Sequence, residues 1–190
     1  MDMSLLLGMG AMLLVIGAFA GVLAGLLGVG GGIILVPAFF YAFQGLGFDS
    51  PQLMQLSLGT SLATIIVTSV RSVLAHHKKG AVDWDILRSW APGIVVGAVI
   101  GFGSFGVPTM SLYSVPIHKA VATAAGFGVI IAVPSVIGFL TVDMAVAPPY
   151  SVGAVNLVAF GLVIAMTMIT APWGAALAHR MDPKPLKRVF

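Results

Sequence analysis

Gly21-Val22-Leu23-Ala24-Gly25-Leu26-Leu27-Gly28-Val29-Gly30-Gly31-Gly32-Ile33-Ile34-Leu35-Val36-Pro37 is the stretch on which the fold turns. Upstream of it, Ser4–Leu27 is an apolar run long enough to cross a bilayer, which takes about 20 helical residues. Gly17, Gly21 and Gly25 recur every fourth residue, so they share one helix face and let a second backbone come close. Gly28 to Gly32 cannot continue that helix comfortably, because glycine loses the most backbone freedom there. Downstream, Ile33–Phe43 is apolar but spans only about 17 Å at ~1.5 Å per residue, roughly half a hydrocarbon core. Such a segment reads as a broken helix, tolerated at membrane depth where protein shields it or it lines a cavity. The break frees backbone N–H groups and offers a helix N-terminus, both of which favour an anion. A dinucleotide fingerprint is excluded because the phase fails at Ile33 and no strand precedes it. A phosphate loop is excluded because no Gly-Lys-Ser/Thr follows.

The composition demands the same class. Apolar types are 59% of the 190 residues and charged types only 8%, against ~25% charged in a soluble domain. There is too little charge to cover a water-facing globule, so the surface must face lipid. All six acids are Asp, and there is no Cys, which excludes disulfides and Cys-ligated metals. Leu53–Ala75, Lys119–Val142 and Ala154–Ala178 are further full spans, and Trp84 to about Gly106 is a fifth. Val107–Val115 is a second short piece, also after a glycine-rich break and also carrying a proline, Pro108. Ala18-Phe19-Ala20 resembles a cleavage site, but the uncharged start and long apolar run predict a retained span rather than a signal peptide.

Lys and Arg gather at Arg71–Arg88, at Lys119 and at Arg180–Arg188, and are missing from the N-terminus and from Gln44–Gln52 and Asp143–Gly153. Positive residues stay in the cytoplasm, so the N-terminus is expected outside and the C-terminus inside. That orientation holds only if Ile33–Phe43 returns the chain outward and Val107–Val115 brings it back. The two halves also match. Gly30-Gly31-Gly32 leading to Val36-Pro37 aligns with Gly101-Phe102-Gly103 leading to Val107-Pro108, and Gln55 to Ser61 aligns with His118 to Ala124, pairing Thr60 with Thr123. The expected fold is therefore an all-α membrane protein. It is a polytopic helical bundle of two inverted repeats, with short, broken helices after glycine-rich breaks. One integral membrane domain covers residues 1–190, with repeat 1 at about 4–100 and a truncated repeat 2 at about 101–190. Matched broken helices in inverted halves are a signature of secondary transporters; chance similarity between Gly-, Val- and Ala-rich helices is the plain alternative.

Gly-Leu-Leu-Gly-Val-Gly-Gly-Gly running into Val36-Pro37 resembles the first signature of the TauE/SafE sulfite-exporter family. Gly59-Thr60-Ser61-Leu62 resembles its Gly-Thr-Ser helix start. His76, Gly80, Val82, Asp83 and Trp84 resemble its basic loop, and Val115-Pro116-Ile117-His118-Lys119-Ala120-Val121-Ala122-Thr123 the second repeat's equivalent. The resemblance covers nearly the whole chain. It implies a multi-pass bacterial inner-membrane transporter of small sulfur-containing anions, sulfite or organosulfonates, with the lipid bilayer as its surroundings. The chain departs from the family where the helix from Trp90 runs almost directly into Gly101, where about two more spans belong. Phe102 stands at the place of Gly31, and Lys184–Phe190 resembles the lead-in to a further helix. The chain is thus expected to be a shortened member.

The expected substrate-binding residues are Gly30, Gly31, Gly32, Pro37, Thr60, Ser61, Arg71, Gly101, Gly103, Pro108, His118 and Thr123. Thr60, Ser61 and Thr123 read equally as helix caps or as substrate contacts. Arg71 reads as a snorkelling cation or a counter-charge, and His118 as an interfacial cap or a proton-handling group. His76 and His77, beside Lys78 and Lys79, read as a solvated basic loop, and Trp84, Trp90 and Trp173 as interfacial anchors. No catalytic residue, metal, cofactor or nucleic-acid partner is expected, and a homo-oligomer is compatible with the sequence. An intramembrane hydrolase would need a nucleophile and base, or a metal motif, at depth; there is no Glu, and no Asp sits near the middle of a span. The alternatives to a transporter are a membrane assembly or binding component that moves no solute, and an inactive shortened family member.

Overall fold

The computed structural model describes residues 3–28, 30–100 and 117–181. In chain order these form α1 (Met3–Leu27), α2 (Gly32–Gly45), α3 (Leu53–His77), α4 (Trp84–Ile100), α5 (Ile117–Leu140), β1 (Ser151–Val152), β2 (Val155–Asn156) and α6 (Leu157–Arg180). β1 and β2 make a minimal antiparallel hairpin with Ser151 opposite Asn156. Among the described residues α1, α3, α5 and α6 are long and apolar enough to cross a membrane. The chain is an all-α membrane protein. The span expected from Ala154 begins at Leu157, because Asn156 caps it: its side-chain oxygen accepts from Ala159 N at 2.9 Å. The expected second break, with Gly101, Gly103 and Pro108, lies outside the described residues.

Burial runs opposite to a water-soluble protein. Val15, Phe19, Ile33, Ile137 and Trp173 are exposed, whereas Ser57, Thr60, Ser61, Thr64, Thr68, Ser69, Ser72 and His76 are at most 1% exposed. Lipid solvates apolar side chains as well as a protein core does, so apolar residues gain little by turning inward. Hydroxyls and imidazoles gain much, since the alternative is a polar group in hydrocarbon.

The glycines of α1 set how its helix packs. A Cβ at Gly17 would lie 3.2 Å from Val163 Cα, and one at Gly21 would lie 2.9 Å from Thr167 Cα. One at Gly25 would overlap Ala171 O, and one at Gly174 would overlap Val22 O. Contacts therefore climb both helices together, and α1 and α6 run parallel with their backbones nearly touching. α3 runs parallel to them, since Thr68 Oγ1 donates to Thr167 Oγ1 at 3.0 Å and His76 meets His179 further on. α5 runs the other way: Gly59 near the start of α3 faces Phe139 near the end of α5, and Ser69 faces Gly128. α4 runs alongside α5, with Leu87 over Gly126 and Trp90 stacked on Phe127 at 6.2 Å. After the break α2 doubles back along α1, so that Phe39 and Phe43 pack with Leu13 and Met9. The short helix expected at Ile33–Phe43 is present over Gly32–Gly45, 14 residues long.

Candidate functional site

The break itself is built on left-handed backbone. Gly28, Gly30 and Gly31 have φ of 71°, 74° and 77°, a region that residues with a Cβ enter only with strain. α1 ends with Gly28 N donating to Ala24 O at 3.0 Å, and Gly31 O accepts from Ile34 N and Leu35 N as α2 begins. Gly31 is the N-cap of α2, and no side chain caps that end. The first turn of α2 thus presents backbone N–H groups with no intrahelical acceptor, at the positive end of a helix dipole.

What faces this end is α3. Ser61, Ile65 and Ser69 follow one another at fourth residues, and Ile65 is the midpoint of the 25-residue helix. A Cβ at Gly32 would lie 2.7 Å from Ile65 Cδ1 and 3.7 Å from Ser61 Oγ. One at Gly30 would lie 2.8 Å from Ile65 Cγ2 and 3.0 Å from Ser69 Oγ. Ser69 Oγ is lodged between two glycines, because a Cβ at Gly128 of α5 would lie 2.7 Å from it. Other hydroxyls of α3 are bonded: Ser57 Oγ donates to Leu53 O at 2.8 Å and Thr64 Oγ1 to Thr60 O at 2.9 Å. Ser61, Ser69 and Ser72 are different. Among the described residues these three buried hydroxyls have no hydrogen-bond partner, although an unpaired buried hydroxyl costs roughly 1–3 kcal/mol. Two of the three point at the glycine break.

Thr60 and Thr123 do not begin their helices; each lies two turns inside, and each is a clasp. Thr60 Oγ1 accepts from Asn156 N at 3.0 Å, and Asn156 is the N-cap of α6. Thr123 Oγ1 accepts from Asp83 N at 3.2 Å, and Asp83 caps α4 by accepting from Ile86 N at 3.1 Å. Since α3 and α5 are antiparallel, the clasps lie toward opposite ends of the bundle. Thr60 and Thr123 thus do equivalent work, each tying its own helix to the N-cap of another, α6 and α4 respectively.

The other expected site residues scatter. Pro37 is exposed in the second turn of α2, away from Ser61. Arg71 is exposed and donates through Nε to Met168 O at 3.2 Å, so it bridges α3 and α6 on the outside of the bundle. His118 lies in the first turn of α5. His76 corrects the expectation of a solvated loop, for it is fully buried. Its Nε2 lies 3.0 Å from Gly25 O, a carbonyl that can only accept, so that nitrogen carries a hydrogen. Its Nδ1 lies 3.0 Å from His179 Nε2. The C-terminal ends of α1, α3 and α6 are joined through this one ring. His77 does face outward, accepting on Nδ1 from Trp84 Nε1 at 3.2 Å.

A cavity of about 300 Å³ lies at the other end, between α1, α2 and the hairpin. Leu6, Met9, Leu13, Phe43 and Leu162 line it, with Asn156 at its edge. Its lining is almost wholly apolar, so it is no anion site.

The sequence model of the sulfite exporter TauE/SafE family matches residues 13–103 and 99–190. The chain belongs to the TauE/SafE family. It is a member of a membrane transporter family, and its glycine break, hydroxyl-bearing α3 and paired threonines are to be read as parts of such a protein. It is 26% identical over 242 residues to a probable membrane transporter protein of Haemophilus influenzae, covering 93% of this chain and 92% of that one. That alignment is longer than this chain, so the relative carries a stretch with no counterpart here. The chain is also 34% identical over 92 residues to the probable membrane transporter protein YunE of Bacillus subtilis, over 46% of this chain and 34% of that protein. A probable membrane transporter protein of Methanocaldococcus jannaschii is 30% identical over 73 residues, 38% of this chain and 27% of its own length. No solved structure matches the chain.

Sequence reasoning missed Ser69, Ser72, Ile65, Asn156 and His179. A signal for the first two was present: Ser57, Ser61, Thr64, Thr68 and Ser72 recur at fourth and third residues, and Ser69 flanks that stripe.

Proposed function

We propose that this TauE/SafE member is a secondary transporter of small sulfur-containing anions, sulfite or a short organosulfonate, bound at the glycine break and moved without catalysis. The observation that carries this reading is the pair of unpartnered hydroxyls, Ser61 and Ser69, facing Gly32 and Gly30 at the uncapped start of α2. Hydroxyls, glycine N–H groups and a dipole end all donate, and an oxyanion accepts from all of them. Substrate sites of secondary transporters lie at midplane breaks of this kind, and Ile65 at the midpoint of α3 packs over this one. Ile65 must move aside for the anion to enter. The clasps at Thr60 and Thr123 support inverted repeats that rock against each other. On this reading the protein lies in a bacterial inner membrane, with its N-terminus outside and its C-terminus in the cytoplasm.

Flux of sulfite and methanesulfonate into proteoliposomes tests the proposal. Uptake that is saturable, and that falls in Ser61→Ala and Ser69→Ala, supports it; no flux above empty liposomes refutes it. The stretch of the Haemophilus influenzae relative that is lacking here favours a second reading, a component that binds anions but moves none. Binding to the purified protein without flux selects that one.

A further inference from the structure

We infer that the site at the glycine break takes monoanions and rejects dianions, so that of the sulfite forms it binds hydrogensulfite. The inference rests on the anion site proposed above.

The argument is a charge inventory. Arg71, Lys78, Lys79, Arg88, Lys119 and Arg180 are all exposed, and they are every Lys and Arg among the described residues. The internal residues outside them, Val29 and Gly101–Pro116, contain no Lys, Arg, His, Asp or Glu. The elements around the break are as poor in charge. α1 and α2 carry no Lys, Arg, His, Asp or Glu; α3 carries Arg71, His76 and His77; α5 carries His118 and Lys119; α6 carries His179 and Arg180. Among those whose burial is described, only His76 is fully buried, and its two ring nitrogens already face Gly25 O and His179 Nε2. An anion beside Ser61 and Ser69 therefore meets neutral donors and one helix dipole end, equivalent to roughly half a positive charge.

Those donors balance one negative charge far better than two. The cost of taking an ion out of water grows with the square of its charge, while its attraction to fixed dipoles grows only in proportion. Ser61 and Ser69 are wholly buried, so water offers no relief in that position. A proton on the substrate removes one of its two charges and with it most of that penalty. Guanidinium and ammonium groups are the favoured partners of doubly charged oxyanions; here every described one has been placed on the outside.

The test compares three anions on the purified full-length wild-type protein, with binding read by calorimetry. Methanesulfonate is a permanent monoanion, sulfate is a dianion at neutral pH, and sulfite passes from one to the other as pH rises through neutrality. Methanesulfonate should bind, and sulfate at least about 100-fold more weakly. The ratio of sulfite affinity to methanesulfonate affinity should fall as pH rises. Taking the ratio cancels any titration of His76, His77, His118 or His179, which acts on both ligands. Sulfate binding as tightly as methanesulfonate, or a ratio that stays level or rises with pH, overturns monoanion selectivity while leaving an anion site. Failure of all three anions to bind overturns the site itself, and the inference with it.

Discussion

Replacing Ser69 by Ala separates a ligand-binding hydroxyl from a structural one, because the two roles predict opposite outcomes. The Ser69 hydroxyl is wholly buried and has no partner among the described residues. A hydroxyl in that state costs the empty protein roughly 1–3 kcal/mol. Ser69→Ala removes the cost and leaves a gap no larger than one oxygen between Gly30 and Gly128. The empty variant should unfold at the same temperature or higher, gaining up to about 1 kcal/mol. With anion bound, the same change deletes a hydrogen bond to a charged group, worth about 1.5–3 kcal/mol. At ~1.4 kcal/mol per decade, Kd should rise about 10- to 100-fold. Thermal unfolding in detergent and sulfite or methanesulfonate binding on the same preparation give both numbers. Ser57→Ala is the control, since that hydroxyl is satisfied by Leu53 O and lies two turns before Ile65; it should leave affinity alone. A Ser69→Ala protein that is less stable by a kcal/mol or more, yet binds as tightly as the wild type, would refute the reasoning.

Thr60→Val should act on stability rather than affinity: it leaves the buried Asn156 N–H without its acceptor, at a cost of about 1–3 kcal/mol in denaturant unfolding. Gly25→Val should abolish folded yield in size-exclusion profiles, because a side chain there overlaps the backbone at Ala171 and Ala175; a monodisperse, fully expressed variant would contradict the parallel packing of α1 on α6. A cysteine introduced in place of Lys79 should resist impermeant labelling from outside the cell, as the Lys/Arg asymmetry requires; periplasmic labelling would invert the orientation. Asp→Asn at Asp49, Asp85 and Asp143, all exposed, should leave any flux unchanged, and loss of proton-coupled transport in one of them would restore a carboxylate to the mechanism.

Much of the fold was legible from residue order because membrane helices are decided locally. Twenty apolar residues must be helical in lipid wherever they occur, so four spans and the short return helix α2 were each readable from their own segment. The glycine break was readable for the same reason, a local cost of backbone freedom at Gly28–Gly32. The site was legible only in part. Gly30 and Gly32 lie against α3 beside Ser69 and Ser61, whereas Pro37 and Arg71 are exposed. Gly31→Val, the obvious substitution from sequence, is a poor probe: Gly31 has φ of 77° and its Cβ would lie 2.9 Å from Ala20 O, so the variant would fail in folding first.

Sequence by itself determined that this chain lives in a membrane and where its helices run and break. Only the tertiary structure decided what its residues touch. Thr60 and Thr123 read from sequence as helix caps or substrate contacts, yet each accepts from the N-cap residue of a neighbouring helix. His76 sat in a basic run, yet its ring turns inward to Gly25 O and His179. Ser69 was one hydroxyl among many until α2 and α5 brought Gly30 and Gly128 against it. The physical reason is range. Hydropathy and backbone cost are summed over neighbours in sequence, but whether a buried hydroxyl has a partner depends on which helix faces meet, and in a chain this uniformly apolar many pairings bury equal area. Polar satisfaction, not hydrophobicity, distinguishes them, and it exists only after the helices have packed.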